Sequence, residues 1–488
     1  MMQLKDILYK VSLEKVIGST DVSIENIHFD SRSVAGNDVF VALTGVQMDG
    51  HEYIDKAIEN GATAVIVENL PVTQINKVTY VVVDNSHKAL ALMAANFYDN
   101  PSADLKLIGV TGTNGKTTTT SLLYQLFKNC GYKTGLISTV EILIDEVVVP
   151  TKHTTPDPLT INKHLASMRD AGVDYCFMEV SSHGISQERV TGLHFAGGIF
   201  TNLSHDHLDY HNSFKEYRDV KKRFFDELAT CAFAIYNKDD KNGPVMVQNT
   251  KARKLGYALK TYTDYQGNIL ENQFGGLLLK VNGQELWTKM IGEFNAYNVL
   301  AIYACAVELG LEELEVLETI SKLDGVSGRF QYFTTKAQNI TAIIDYAHTP
   351  DALKNVLQTI NAIRTKNAQL ITVVGCGGDR DTSKRPIMAD IATSLSNKVI
   401  LTSDNPRTED PEAILKDMEA GVQPQNFQKS MTIVNREQAI KTAANIANKN
   451  DIILIAGKGH ETYQEINGVR HDFDDRKKIT TILNQLEK

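Results

Sequence analysis

Short apolar runs alternate along this chain with longer stretches in which apolar positions recur every three or four residues. The first pattern predicts buried strands and the second amphipathic helices. Their regular succession predicts an α/β protein built on parallel sheets. A first block has strand-like runs at 39–43, 64–67 and 78–83, then a helix near 89–98, and Asp99-Asn100-Pro101-Ser102 reads as a linker. A second block, from 105 to about 333, has strand-like runs at 105–110, 175–180 and 199–203 and a helical run at 118–128. A third block has strand-like runs at 340–344, 370–374, 398–402 and 452–455. Each of these four ends in a polar or glycine-rich cluster: Asp345-Tyr346-Ala347-His348, Gly375-Cys376-Gly377-Gly378-Asp379-Arg380, Ser403-Asp404-Asn405-Pro406-Arg407 and Gly457-Lys458-Gly459-His460-Glu461. Open parallel sheets bind ligands beyond the carboxyl ends of their strands. Four clusters at four strand ends therefore predict one shared site.

Composition narrows the class. A chain of 488 residues suggests about three domains, and 42% hydrophobic with 22% charged residues is ordinary for a globular enzyme. A net charge of −9 leaves no basic footprint for nucleic acid. The five cysteines (Cys130, Cys176, Cys231, Cys305, Cys376) are far apart and include no CxxC, which argues against zinc fingers and a disulfide framework and fits a reducing cytoplasm. Charges scattered through the first seventeen residues, and no apolar run of membrane length, give no sign of export or membrane insertion.

The most specific local signal is Gly112-Thr113-Asn114-Gly115-Lys116-Thr117 between a predicted strand and a predicted helix. Small residues let backbone N–H groups approach phosphate oxygens, and the helix N-terminus favours negative charge. Lys116 would hold the outer phosphates and the Thr117 hydroxyl can ligate Mg²⁺. The loop departs from the usual pattern at Val110, where a glycine is standard. Glu179 ends its strand and is well placed for Mg²⁺, which takes oxygen ligands. His205-Asp206-His207-Leu208-Asp209-Tyr210-His211 is the densest ligand-like cluster. Composition alone allows a zinc hydrolase site, a solvated loop, or one or two ligands of a Mg²⁺–nucleotide enzyme.

Ser213 and Glu216 form a capping-box pattern, after which Phe214, Tyr217, Phe224, Phe225 and Leu228 trace an apolar stripe. Lys221 lies on that stripe, whereas Lys222 and Arg223 lie off it. A buried lysine tends to lose its proton and can then take up CO₂ as a carbamate, an anionic metal ligand. On the residues alone, the preferred reading is a lysine that snorkels to solvent. Arg329 could stabilise a transferring phosphoryl group. Asn295 and Asn298 could read an adenine edge or cap the following helix. Asp404-Asn405-Pro406-Arg407, with Arg380 and Glu461, could grip a zwitterionic amino acid or form a surface salt-bridge network.

Taken together, these motifs resemble the Mur ligase family of ATP-dependent amide-forming enzymes of peptidoglycan precursor synthesis. The resemblance rests on Thr111 to Thr117, on Glu179-Val180-Ser181-Ser182-His183-Gly184, on Thr201-Asn202-Leu203-Ser204 running into the histidine cluster, on Gly328-Arg329-Phe330, on Asp345-Tyr346-Ala347-His348-Thr349-Pro350, and on Gly457 to Glu461. It covers nearly the whole chain, and the family's atypical phosphate loop accounts for Val110. It implies three α/β domains: a uridine-nucleotide-binding domain (1–100), a central P-loop parallel-sheet ATPase domain (101–334) and a Rossmann-like C-terminal domain that binds the amino acid (335–488).

Within the family, the chain is similar to members that add the third residue of the peptide. That similarity implies binding of UDP-N-acetylmuramoyl-dipeptide through Phe29, Ser31, Val46, Gln47 and Met48, and through Thr154, Thr155, Ser181, Gln187 and Arg189. ATP falls to Gly112, Thr113, Asn114, Gly115, Lys116, Thr117, Thr118, Asn295, Asn298, Arg329, Asp345 and His348. Two Mg²⁺ ions fall to Thr117, Glu179, His207 and a carbamylated Lys221. The turn Asp404-Asn405-Pro406-Arg407 resembles that of members adding meso-2,6-diaminopimelate, with Arg380, Gly457 and Glu461 as further contacts; lysine-adding members generally lack the terminal arginine. The expected catalytic set is Lys116, Glu179, His207, Lys221, Arg329 and Asp345, in a cytoplasmic monomer. The competing readings are the same reaction with L-lysine, a folylpolyglutamate-type ligase without need of the first block, a zinc hydrolase, and a non-catalytic nucleotide-binding regulator.

Overall fold

The computed structural model describes all residues except 46–47, 152, 205–209 and 212. Its three large sheets have five, eleven and six strands and follow one another along the chain. In the first, Thr79–Val83, Ala62–Val67, Asp38–Val41 and Ile27–His28 run parallel, and Leu13–Ile17 closes one edge antiparallel. The helix predicted near 89–98 begins earlier, at Ser86, because Asn85 caps it by accepting from the Lys88 N–H. The predicted linker contains Asp99 and Asn100, both in the left-handed region, followed by a short turn at Pro101–Ala103.

At the heart of the second sheet, Lys106–Thr111 lies between Tyr175–Glu179 and Phe195–Phe200, parallel to both. A central parallel strand is covered on both faces, which is why these three runs are nearly all apolar. The sheet is mixed rather than wholly parallel. Thr134–Ile137, Ile142–Ile144 and Val147–Val149 form an antiparallel meander at one edge, and Tyr265–Gln273, Gly276–Val281 and Gln284–Thr288 form another at the far edge. Helices Lys116–Asn129 and Glu293–Glu308 pack on one face, sharing a core with Ile108, Val110, Phe177 and Ile199.

In the third sheet Thr341–Asp345, Ile452–Ala456, Leu370–Val374, Lys398–Leu401 and Ser430–Thr432 run parallel in that order. Gln331–Thr334 adds an antiparallel edge. All four predicted strands of this block form, so their polar ends emerge along one rim. Among the described residues no helix is long and apolar enough to cross a membrane, and all five cysteines are unpaired.

Candidate active site

The phosphate loop folds as its residue types require. Gly112 has φ +151°, and a Cβ there would stand 2.0 Å from the Thr201 hydroxyl. Gly115 caps the helix at φ +89°, where a side chain would meet Asn298 Oδ1 at 2.7 Å. The helix begins at Lys116, two residues before the predicted run. Asn202 accepts from the Asn114 N–H and, with Thr201, donates to the Asn114 carbonyl, so the strand end at 201–202 shapes the loop. The Lys116 ammonium is folded onto the carbonyls of Gly112 and Thr113 at 2.9 and 2.8 Å.

Beside this loop, Glu179 is fully buried at its strand end. Its carboxylate accepts from the Thr139 N–H at 2.8 Å and the Thr139 hydroxyl at 3.1 Å. Lys221 sits on helix Phe214–Asp226, started by Ser213, which accepts from the Glu216 N–H. Its amine does not snorkel. Lys221 is 1% exposed and donates to the Gly112 carbonyl at 3.0 Å, against the ring of Tyr217. Phe224 and Phe225 on the same stripe are buried, whereas Lys222 and Arg223 are only half-buried. The apolar stripe therefore delivers an amine into the back of the phosphate loop. His207 lies outside the described residues.

At the end of the second block, Gly328 and Arg329 meet the third block beside this site. Gly328 has φ +66°, and a Cβ there would stand 2.0 Å from the His460 nitrogen. Arg329 stacks on the ring of Tyr346 at 4.3 Å and donates to the Thr117 hydroxyl at 3.1 Å. Asp345 accepts from the N–H groups of Phe330 and Ala347, both at 2.7 Å. Burial outweighs those donors and the nearby Arg329, and pushes the Asp345 carboxyl up to about 6. Asn114 Nδ2 donates to Asp351 at 3.2 Å, a second tie between the phosphate loop and the third block.

Two cavities result. One, of about 870 Å³, is lined by the phosphate loop, Thr154, Thr155, Glu179, Ser181, Arg189, Lys221, Arg329 and His348, and also by Arg380, Asp404, Asn405, Arg407, Gly457 and Glu461. The other, of about 730 Å³, opens from Gly115 and Thr118 past Asn295, Asn298, Asp345 and His348. Asn295 is not a helix cap, since Gly292 holds that place; it spends its amide on the Ile291 carbonyl and on Asn298. The turn at 404–407 is not a surface salt-bridge network either. Arg407, at φ +52°, donates to the Gly378 carbonyl and Arg380 to its neighbour's carbonyl. Among the described residues neither guanidinium has an ion-pair partner.

Sequence reasoning brought too much into one place in some respects and too little in others. Phe29, Ser31 and Met48 of the first block line neither cavity, nor does Gln187, which bonds Tyr210 and Arg189. Val46 and Gln47 lie outside the described residues. Thr139, Tyr346 and Asp351 were not singled out. Tyr346 stood inside a quoted motif, whereas Thr139 and Asp351 carried no signal in their own surroundings.

A phosphate loop, an acid and a buried lysine beside it, and two guanidiniums without an ion-pair partner among the described residues define a nucleotide-dependent ligase of the Mur type. The patterns of the Mur ligase family catalytic domain, the Mur ligase middle domain and the Mur ligase glutamate ligase domain match residues 23–98, 110–306 and 328–459. The chain belongs to the Mur ligase family. It is 53% identical, over 100% of both chains, to a Cytophaga hutchinsonii protein named UDP-N-acetylmuramoyl-L-alanyl-D-glutamate--2,6-diaminopimelate ligase. A Bacteroides fragilis protein of the same name is 50% identical over 99% of each chain. A solved structure of a ligase of that name superposes with a TM-score of 0.70 at 32% identity, covering 100% of this chain and 99% of its own.

Proposed function

We propose that this chain is an ATP-dependent ligase that joins meso-2,6-diaminopimelate to the D-glutamate of UDP-N-acetylmuramoyl-L-alanyl-D-glutamate. The observation that carries the reading is a single cavity shared by the phosphate loop and two guanidiniums, Arg380 and Arg407, that have no ion-pair partner among the described residues. A triphosphate would lie along Gly112 to Thr118, with Lys116 swinging from the loop carbonyls to the outer phosphates. The adenosine would enter the second cavity beside Asn298. The relatives named for this reaction, similar over their full length, support it independently.

Chemistry would proceed in two displacements. The D-glutamate carboxylate attacks the γ-phosphorus, the bond to ADP breaks, and an acyl phosphate forms. A neutral amine of diaminopimelate then adds to the acyl carbon, and the tetrahedral intermediate expels phosphate, which carries off the amine proton, and leaves an amide. Arg329 would offset charge developing on the transferring phosphoryl group. Arg407 and Arg380 offer forks to the carboxylates of the incoming amino acid, and Asp404 and Glu461 offer acceptors to its ammonium groups. Walls contributed by the second and third blocks would exclude water from the acyl phosphate. Thr117 and Glu179 supply hard oxygen donors that suit Mg²⁺, which would neutralise phosphate charge. The Lys221 amine would fit that donor set after taking up CO₂ as a carbamate. Phe29, Ser31 and the 46–48 segment would hold the uridine end of the substrate. The reading places a monomeric enzyme in the bacterial cytoplasm, with its nucleotide substrates.

The test is phosphate release from ATP with the UDP-linked dipeptide, comparing diaminopimelate with L-lysine. Release should depend on the dipeptide and strongly favour diaminopimelate. Equal rates with lysine would remove the role of Arg407, and release with folate and glutamate instead would overturn the reading.

A further inference from the structure

Beneath the turn at 404–407 lies a lysine that no part of the mechanism above uses. Lys458 is 0% exposed and does not line the cavity, although Asn405, Gly457 and Glu461 around it do. Its ammonium donates to Asn405 Oδ1 and to Glu461 Oε2, both at 2.9 Å, and lies 5.4 Å from the ring of Tyr463. Burying an ammonium is costly unless it is paired and hydrogen-bonded, and here both conditions are met.

The consequences fall on the two neighbours. An ammonium only donates, and the Glu465 N–H also donates to Asn405 Oδ1, at 3.0 Å. The Asn405 amide is therefore held in one orientation, with Nδ2 directed at Glu461 Oε2, 2.8 Å away. Glu461 Oε2 thus accepts two donors, which leaves Oε1 as the acceptor for a ligand ammonium. The nearby buried guanidinium of Arg436 cannot take over this task, because it is committed to Asp475 through two bonds of 2.8 and 2.7 Å.

We propose that Lys458 is a positioning residue for the incoming amino acid, acting through Asn405 and Glu461 rather than touching the substrate. The proposal deepens the reading of this cavity as a diaminopimelate site and rests on it. Without Lys458, Asn405 Oδ1 keeps only the Glu465 N–H, Glu461 loses its only ion-pair partner among the described residues, and both side chains are held less firmly for the ligand.

The test is a double-mutant cycle of Lys458→Met and Glu461→Gln, read as KM for each substrate in the phosphate-release assay. Lys458→Met should raise KM for diaminopimelate about tenfold or more. KM for ATP and for the UDP-linked dipeptide should stay within about twofold of the parent, and the double variant should raise KM for diaminopimelate by clearly less than the product of the two single effects, because only the route through Asn405 remains open to Lys458. An unchanged KM for diaminopimelate, or effects that multiply in the double variant, would overturn the proposal. Lys458→Gln, which keeps a donor but not the charge, enters the same cycle if the methionine variant fails to fold. A parent enzyme that releases no phosphate with diaminopimelate would sink the underlying reaction instead, however the variants behave.

Discussion

The guanidinium of Arg329 donates to the hydroxyl of Thr117 at 3.1 Å, so the arginine that enters the third block rests on the oxygen that the phosphate loop would offer to a metal. A magnesium–nucleotide complex bound there would have to displace it. Once displaced, and still stacked on Tyr346, the guanidinium would be able to turn toward the phosphates. Arg329→Ala should therefore bind ATP at least as tightly as the parent, because no bond to Thr117 has to open. Its kcat should fall by about 10²–10³, the usual loss when a donor aimed at developing charge is removed. Calorimetric ATP binding and phosphate release, measured side by side, check both halves. An unchanged kcat would remove Arg329 from the reaction.

His460 gives the site a pH signature. Burial, with the cationic Arg329 and Lys458 and the nearby His348, pushes its pKa down to about 3. A histidine lowered in the folded state stays neutral there, while the unfolded chain takes up a proton below about 6.5. Its contribution to stability is present above that pH and drains away as pH falls toward 3. Asp345 acts in the opposite sense. Raised from 3.8 to about 6, its contribution is present at low pH and is lost as pH rises through 6. A direct pH titration of the parent would thus partly cancel the two. His460→Gln separates them: its melting temperature should drop less between pH 7 and pH 5 than that of the parent. A larger drop would contradict a neutral buried imidazole.

Legibility tracked how local each cause was. The helix carrying Lys221 was readable because its capping serine, its stripe and its misplaced lysine lie within sixteen residues. Burial then decided what periodicity could not, namely that the amine faces the phosphate loop and not solvent. The strand ends of the third block were readable because each apolar run stops at a polar cluster, although sequence could not say which strands are neighbours. The Thr139 bond to Glu179 spans forty positions with no shared motif, so only the fold reveals it. The meander at 265–288 was missed because its strands mix exposed polar with apolar positions on a half-open edge. The ligand role of the first block came from resemblance to family members, and its described contacts Phe29, Ser31 and Met48 line neither cavity.

The pair Arg436–Asp475 locks the third block. Both side chains are fully buried, and Arg436 also donates to the carbonyl of Ala456, directly before Gly457. Arg436→Met leaves the Asp475 carboxylate buried without its cation, which costs about 3–5 kcal/mol. Replacing both partners with apolar residues of similar size should recover most of that, because no charge is then stranded. Urea unfolding of the three proteins checks this ordering. A single variant within about 1 kcal/mol of the parent would show that the pair is solvated in the native state.

Lys221 offers the sharpest chemical test. Its amine is buried against the carbonyl of Gly112 and lines the same cavity as Glu179 and Thr117. Under the proposed function that amine would add to CO₂ with loss of a proton, and the resulting carbamate would place two oxygens beside the other donors. Lys221→Ala removes the amine and leaves a gap behind the phosphate loop. Phosphate release should collapse by about 10³ or more, in the range of losses seen when groups that organise transition-state charge are deleted. Short-chain carboxylic acids, small enough to enter the gap, should restore part of the activity in a concentration-dependent way, whereas the matching amines should not. ATP binding by the variant should remain measurable, since Lys116 and the loop N–H groups are untouched. Rescue by amines in place of acids would mean that Lys221 acts as a cation, and undiminished activity would mean that it has no part in the reaction.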